Sequence, residues 1–385
     1  MMTRPATLIA LALATSSLAS CGSSGGNEEP PLSEEALAAV TENPGAPTRA
    51  LARAADDLFT YDGLGETRAL VVYHGGRLAV ERYAPGYDAD TRFISWSMAK
   101  TVTAIMIGML VADGQLRLDA PAPVPRWQRT GDPRAEITLR HLLQMRAGLE
   151  HTEAGDPPQE SSEVRMLFLD GRDDMADYAT AQPLEAEPGA KFEYSSNTTV
   201  ILADIAARAL TDSKDPDIRR RAVSDYLKAR LFDPLGMTSV VPEFDRAGTL
   251  IGGSLIHATA RDWARLGELL RNKGSYRGEQ LVPRGWVEEM VTPSPQSPHY
   301  GLQTWLNRPM GEEEHPLIPN RAPENAFSMI GHMGQYVFVS PSQKLTVVRL
   351  GHSDAPERRA MLQQLADIVE LYPEPEAGRT APRRR

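Results

Sequence analysis

Residues 97–113 constrain this chain more than any other stretch. Met98, Val102, Ile105, Met106, Met109 and Leu110 recur at helical spacing, and Asp113-Gly114 supplies a C-terminal stop. The run opens on Ser97-Met98-Ala99-Lys100, which puts a serine and a lysine at i and i+3 on one helical face. A serine hydroxyl is a poor nucleophile until a neighbouring base takes its proton. A lysine serves as that base only when burial or nearby charge lowers its pKa. A serine at the helix start also sits where the positive end of the helix dipole favours developing negative charge. Only six of the 41 basic residues are lysines, and Lys100 alone among them has a serine three residues before it. A bare Ser-x-x-Lys is usually solvated helix surface; the apolar run behind this one marks Ser97 and Lys100 as a candidate nucleophile and base.

The flanking sequence predicts how that helix is housed. Glu34–Val40 and Thr48–Phe59 read as helices separated by the breaker Pro44-Gly45-Ala46-Pro47. Arg68–Tyr73 and Arg77–Tyr83 read as strands joined by the hairpin signal His74-Gly75-Gly76. From Leu139 to about Leu235 helical patterns alternate with loops and no long strand is evident. Strand-like runs return at Gly301–Trp305, Tyr336–Val339 and Leu345–Leu350, and an amphipathic helix over Glu357–Leu371 closes the domain. Strands at both ends of a helical middle predict an α/β fold interrupted by a helical insertion. Residues 36–96 and 251–372 form the α/β part and 97–250 the mainly helical part. No internal repeat is present.

The ends carry other signals. Arg4 and the short apolar run Leu8–Leu13 form a signal peptide over residues 1–20, too short to span a bilayer. Leu18-Ala19-Ser20-Cys21 behind it resembles a bacterial lipobox, and Cys21 is the only cysteine. The resemblance implies cleavage before Cys21, lipidation of that residue and attachment to the cell envelope. With Gly22 rather than aspartate next, the expected location is the outer membrane, facing the periplasm. The mature chain then has no thiol left for a disulfide or a cysteine nucleophile. Residues 21–35 read as a flexible tether and residues 373–385 as a frayed tail. Gly22-Ser23-Ser24-Gly25-Gly26 matches the G-x-S-x-G pattern, but no strand precedes it and no helix follows, so it is rejected as a nucleophile elbow. A net charge of −10 over 385 residues argues against a nucleic-acid partner.

Several motifs then fall into one order. Phe93-Ile94-Ser95-Trp96-Ser97-Met98-Ala99-Lys100-Thr101 resembles the first motif of the β-lactamase-related serine hydrolases. That group includes class C β-lactamases, D-alanyl-D-alanine peptidases, carboxylesterases and 6-aminohexanoate-dimer hydrolases. His141–Leu149, Phe232–Met237 and Ala258–Arg265 resemble the group's HLL-x-M-x-x-G-L, FxPLGM and TaxDlAr segments, and Tyr300–Trp305 its YG-x-x-W strand. Tyr194-Ser195-Ser196 within Pro188–Asn197 resembles its Tyr-x-Asn or Tyr-x-Ser motif. The resemblance implies a β-lactamase/transpeptidase-like fold, an antiparallel sheet flanked by helices with a mostly helical inserted subdomain. It gives Tyr194 a share in proton transfer with Lys100 and puts Ser196 at the substrate. Chemically, a phenol beside a cationic lysine ionises more readily and serves as base, then acid. Asn197 stands one position late for the β-lactamase asparagine.

The group's third motif, Lys-Thr-Gly, is absent. Ile330-Gly331-His332-Met333-Gly334-Gln335-Tyr336 stands there and resembles the Gly-x-x-Gly-Gln strand of the 6-aminohexanoate-dimer hydrolases. In that register Gly331 lets substrate approach the backbone, and the His332 N–H joins the Ser97 N–H as an oxyanion hole, the donor pair a tetrahedral intermediate requires. In the other register His332-Met333-Gly334 replaces Lys-Thr-Gly and the imidazole faces the substrate; a third reading has His332 merely packing beside the strand. Arg349 is a candidate cation in place of the missing lysine, although an arginine on a terminal strand is more often at a solvated edge. Trp96 is a candidate pocket wall, the other tryptophans core residues. No water-activating glutamate of the class A kind is evident.

The eight histidines include no His-x-His or His-Glu-x-x-His pair, so no metal is expected, and no cofactor is implied. The expected activity is therefore hydrolysis of a carboxylic ester or small linear amide through acylation of Ser97. The alternatives are a D,D-peptidase or weak β-lactamase acting on cell-wall peptides, and a penicillin-recognising protein whose catalysis has decayed.

Overall fold

The computed structural model describes residues 31–309 and 316–375. The signal peptide, Cys21, the rejected Gly22–Gly26 motif, residues 21–30 of the tether, the acidic run Glu312–Glu314 and residues 376–385 of the tail lie outside those residues.

Two helices lead in, α1 (Glu34–Ala38) and α2 (Thr48–Thr60). The hairpin follows as β1 (Glu66–His74) and β2 (Arg77–Tyr83). His74 pairs with Arg77, and Gly75 and Gly76 between them take φ of +58° and +81°, the left-handed values a tight two-residue turn needs. After β3 (Arg92–Ile94) the predicted helix begins two residues later than its sequence pattern: Trp96–Met98 form a 3₁₀ turn and α3 runs Ala99–Ala112. Every residue from Ala99 to Leu110 is buried, so this helix lies inside the protein, as an all-round apolar helix must.

The middle of the chain is helical: α4 (Leu139–Leu143), α5 (Ser162–Phe168), α6 (Met175–Ala181), α7 (Ser196–Leu210), α8 (Pro216–Leu227) and α9 (Asp233–Leu235). Strands β4 (Val241–Pro242) and β5 (Ile256–Thr259) pair with each other and, through β5, with β3. Thr259 caps α10 (Ala260–Arg271) by accepting the Asp262 N–H. The small hairpin β6 (Ser275–Tyr276) and β7 (Glu279–Gln280) leads to α11 (Arg284–Met290). Then come β8 (Trp305–Leu306), β9 (Phe327–Gly331), β10 (Gln335–Ser340), β11 (Leu345–His352) and α12 (Ala355–Glu370). The predicted strand Gly301–Trp305 is mostly a turn. The Gly301 N–H bonds to the Thr304 carbonyl at 2.9 Å, and Gln303 has φ +54°, so only Trp305 and Leu306 reach β9.

Six antiparallel strands form the main sheet in the order β2-β1-β11-β10-β9-β8, which gives the expected antiparallel sheet with helices on its faces. Alternation along the strands divides its side chains between two cores. Val71, Val337, Val339 and Val348 join Trp263 and Leu266 of α10 in one core; Leu70, Val72, Phe338 and Val347 join Leu51, Leu58 and Leu365 of α2 and α12 in the other. Each such side chain is fully buried and contributes about 1.5–3 kcal/mol relative to exposure.

This strand order corrects the reading of Arg349 as a solvated-edge residue. β11 lies between β1 and β10, so Arg349 is 0% exposed. Its guanidinium donates to Thr67 Oγ1 (3.0 Å), the Gly334 carbonyl (2.9 Å), the Glu66 carbonyl (3.0 Å) and Ser353 Oγ (2.8 Å). Burial among neutral acceptors pushes its pKa down to about 10.

Candidate active site

Ser97 occupies the 3₁₀ turn ahead of α3, and the residues around it are fixed by backbone contacts. The Ser95 N–H donates to the Ile256 carbonyl at 2.8 Å, and the Ile256 N–H returns a bond to Ser95 Oγ at 3.1 Å. Trp96, a bulky non-glycine residue, is held at φ +44°, a costly conformation that persists only where the surroundings enforce it. As a residue of a helical first turn, Ser97 presents an N–H without an intrahelical acceptor.

Lys100 is 1% exposed in the first turn of α3. Its Nζ donates to Ser97 Oγ at 2.9 Å, to Ser196 Oγ at 2.7 Å and to the Gly253 carbonyl at 3.0 Å. The i, i+3 spacing therefore brings the Ser97 hydroxyl and the Lys100 amine together, as the sequence indicated. Tyr194, on the segment before α7, hydrogen bonds through its hydroxyl to Ser97 and Lys100. Its ring packs at 5.2 Å from Trp305 and lies 4.8 Å from Lys100 Nζ. Burial pulls the Lys100 pKa down, but Tyr194, Glu153 and Glu163 outweigh it and leave the ammonium favoured. Burial raises Tyr194 against the pull of Lys100. Amine and phenol both hold their protons at rest.

A cavity of about 1140 Å³ opens in front of these groups. Ser97, Tyr194, Trp96, Gly331 and His332 line it. Ser196 and Gly334 do not reach its wall: Ser196 is 0% exposed behind Lys100, and Gly334 is buried with its carbonyl bonded to Arg349. Asn197 turns away from Lys100, its amide donating to the Ser162 carbonyl at 3.4 Å. His332 begins a three-residue hairpin between Gly331 and Gln335, which pair across β9 and β10; Met333 and Gly334 turn it with φ of +56° and +79°. Its imidazole meets the Trp96 ring edge-on at 5.5 Å, and burial with Arg358 nearby lowers its pKa, which leaves it neutral at neutral pH. Gly331 cannot carry a side chain without collision, since a Cβ there would lie 2.3 Å from the Ser95 carbonyl oxygen.

Two carboxylates at this site escaped the sequence. Glu153, in the loop after Gly148-Leu149, accepts the Ser196 N–H at 2.6 Å and lies 3.7 Å from Lys100 Nζ. Glu163, in the first turn of α5, reaches Ser196 Oγ at 2.8 Å. Burial raises the Glu153 pKa, Lys100 opposes it, and Glu163 adds to it. Glu163 reads in the sequence as an ordinary first-turn acid of a short helix, and nothing local marks Glu153. Among the described residues no group of three His, Cys, Asp or Glu is placed to hold a metal ion. His141 instead completes a capping box with Thr138 at the start of α4.

A family profile described as Beta-lactamase matches residues 66–370. The 6-aminohexanoate-dimer hydrolase of Paenarthrobacter ureafaciens is 26% identical over 303 residues, covering 76% of this chain and 74% of that one. A solved structure titled putative 6-aminohexanoate-dimer hydrolase from Bacillus anthracis superposes with a TM-score of 0.62 at 24% identity, over 80% of this chain and 81% of that one. EstCE1, titled a hydrolase with promiscuous acyltransferase activity, gives a TM-score of 0.61 at 18% identity, over 84% and 99%. These superpositions establish a shared β-lactamase/transpeptidase-like fold.

Proposed function

The chain belongs to the beta-lactamase family of hydrolases, and on that premise we propose that it is a serine hydrolase forming an acyl-enzyme at Ser97 from a carboxylic ester or small linear amide. The observation that carries the reading is the contact of Lys100 Nζ with Ser97 Oγ at 2.9 Å, with the Tyr194 hydroxyl bonded to both. In this reading Lys100 acts once it has become a free amine: it takes the Ser97 proton as Oγ attacks the carbonyl carbon, and Tyr194, bonded to both, gives up its own proton and regains one from Lys100. The oxyanion forms against the N–H groups of Ser97 and His332. Tyr194 returns a proton to the leaving alcohol or amine, and water then hydrolyses the ester on Ser97 with the same two groups as base and acid. A neutral His332 in place of a lysine supports the backbone role over a cationic side-chain role.

One observation favours a second reading, the cell-wall peptide or β-lactam substrate. Arg358 and Arg359 of α12 line the same cavity beyond His332, where a substrate carboxylate would meet a cation. Hydrolysis of p-nitrophenyl acetate and nitrocefin by the wild type, Ser97→Ala and Tyr194→Phe separates the two. Ester turnover that vanishes in Ser97→Ala, with little nitrocefin cleavage, is the expected result. Efficient nitrocefin turnover moves the assignment to the second reading, and unchanged activity in Ser97→Ala refutes the mechanism. Covalent labelling of Ser97 without turnover is the outcome for a decayed binding protein. The proposal includes export and a lipid on Cys21 anchoring the protein to the cell envelope; incorporation of a fatty-acid analogue that persists in Cys21→Ala refutes that part.

A further inference from the structure

Glu153 and Glu163 take no part in the steps above, yet they converge on the group that holds Lys100. Ser196 Oγ lies 2.7 Å from Lys100 Nζ, 2.7 Å from Glu153 Oε1 and 2.8 Å from Glu163 Oε1. A hydroxyl brings one hydrogen and two lone pairs. If Lys100 donates to Ser196, the serine's hydrogen serves one carboxylate only. The other oxygen, equally close, makes a hydrogen bond only if its own carboxyl carries a proton. If instead a neutral Lys100 accepted from Ser196, both carboxyls would have to be protonated. Each arrangement contains at least one neutral carboxylic acid, as expected when two like charges share a site.

On the reading of Ser97 as nucleophile, we propose that Glu153 and Glu163 hold one proton between them across the Ser196 hydroxyl, and that the single negative charge of the pair sets the charge of Lys100. The resting ammonium is then balanced by one carboxylate. It loses its proton along a path already assembled: a Lys100 N–H passes its hydrogen to Ser196 Oγ while the Ser196 O–H passes its own to the ionised carboxylate. One N–H bond breaks, one carboxyl O–H bond forms, Ser196 is unchanged, and the two opposite charges disappear. Lys100 is left as a free amine 2.9 Å from Ser97 Oγ, ready to take its proton. The titratable groups facing the pair are Lys100 on α3, Tyr194 before α7, Tyr300 before β8 and His332 on the β9–β10 hairpin. Both glutamates act through Lys100 and are positioning residues.

The test has two arms on the full chain. Infrared spectra of protein with isotope-labelled glutamate, recorded across the pH range, read protonated carboxyls directly. The expected result is a protonated glutamate that persists at about pH 7, well above the ordinary carboxylate range, and disappears in either Glu153→Gln or Glu163→Gln, because a lone carboxylate beside an ammonium ionises. In the second arm, the pH profile of kcat/KM for p-nitrophenyl acetate is compared with that of Glu153→Gln/Glu163→Gln. Without either carboxylate, burial of Lys100 is opposed by Tyr194 alone, and the acid limb moves down by at least about one pH unit. A purely structural role lowers the rate equally at every pH and overturns the proposal, as does the absence of a protonated glutamate in the wild type. The infrared titration of the wild type holds even if the double variant does not fold. It also needs no turnover, so its failure refutes this proposal alone, whereas an active Ser97→Ala enzyme refutes the reading beneath it.

Discussion

Replacing Gly331 with alanine tests whether the contact between the two halves of the site sets its catalytic geometry. Gly331 has φ −116° and ψ 157°, values any residue adopts, so the substitution acts through space alone. The added Cβ would stand 2.3 Å from the Ser95 carbonyl oxygen, against the 3.4 Å at which ordinary contact begins, and 2.9 Å from Gln335 Cβ. Relief requires a shift of about 1 Å between the end of β9 that leads into His332 and the segment bearing Ser97, because the obstacle is backbone two residues before Ser97. A misplacement of about 1 Å costs roughly 10²-fold in rate, or about 2.7 kcal/mol of transition-state stabilisation. Overpacking costs about 1–3 kcal/mol of stability, less than the roughly 5–15 kcal/mol of a typical domain, so the variant folds. Steady-state hydrolysis of p-nitrophenyl acetate should show the loss in kcat/KM, with thermal melting run in parallel. Gly285→Ala is the control: a Cβ at that position of α11 meets nothing within 4 Å, and activity should not change. A folded Gly331→Ala enzyme with kcat/KM within about threefold of wild type would show that this contact does not position Ser97 against His332.

Tyr194→Phe keeps the ring against Trp305 and removes the hydroxyl bonded to Ser97 and Lys100; kcat should fall by about 10²–10⁴ with little change in KM, and a wild-type kcat would exclude Tyr194 from proton transfer. His151 is 3% exposed, bonded to Thr198 and the Ala179 carbonyl, and burial lowers its pKa from 6.5 to about 4. The unfolded chain therefore takes up a proton that the folded one refuses: the His151 contribution is complete above about pH 6.5 and is lost as pH falls towards about 4, by roughly 3 kcal/mol. Denaturant unfolding across that window should show the slope, and His151→Gln should flatten it. Arg349→Met leaves Thr67, the Gly334 and Glu66 carbonyls and Ser353 without their donor and should destabilise by about 3 kcal/mol or more, read from urea unfolding; Arg349→Lys should not restore it, since one ammonium cannot reach four acceptors spread over β1, the β9–β10 hairpin and the segment after β11.

What the sequence determined by itself was local. Helical spacing was enough to place Lys100 beside Ser97, since an i, i+3 relation is a property of one helix. Alternation and turn chemistry located β1, β2, β10 and β11 to within a residue or two at each end, and Gly75-Gly76 marked the hairpin turn. The motif order placed Tyr194 at the same centre through its resemblance to known hydrolases. Spacing failed where partners are remote. Gly301–Trp305 alternates like a strand, but its backbone bonds close on themselves through Thr304. Arg349 looked solvent-facing because its strand comes last of eleven in the chain; insertion between β1 and β10 buried it. Glu153 and Glu163 look like ordinary surface acids until α5 and the loop after Leu149 fold over Ser196 and Lys100. Periodicity records which face of an element is apolar, but the protonation of a buried carboxyl depends on charges that only the assembled chain brings within hydrogen-bonding distance.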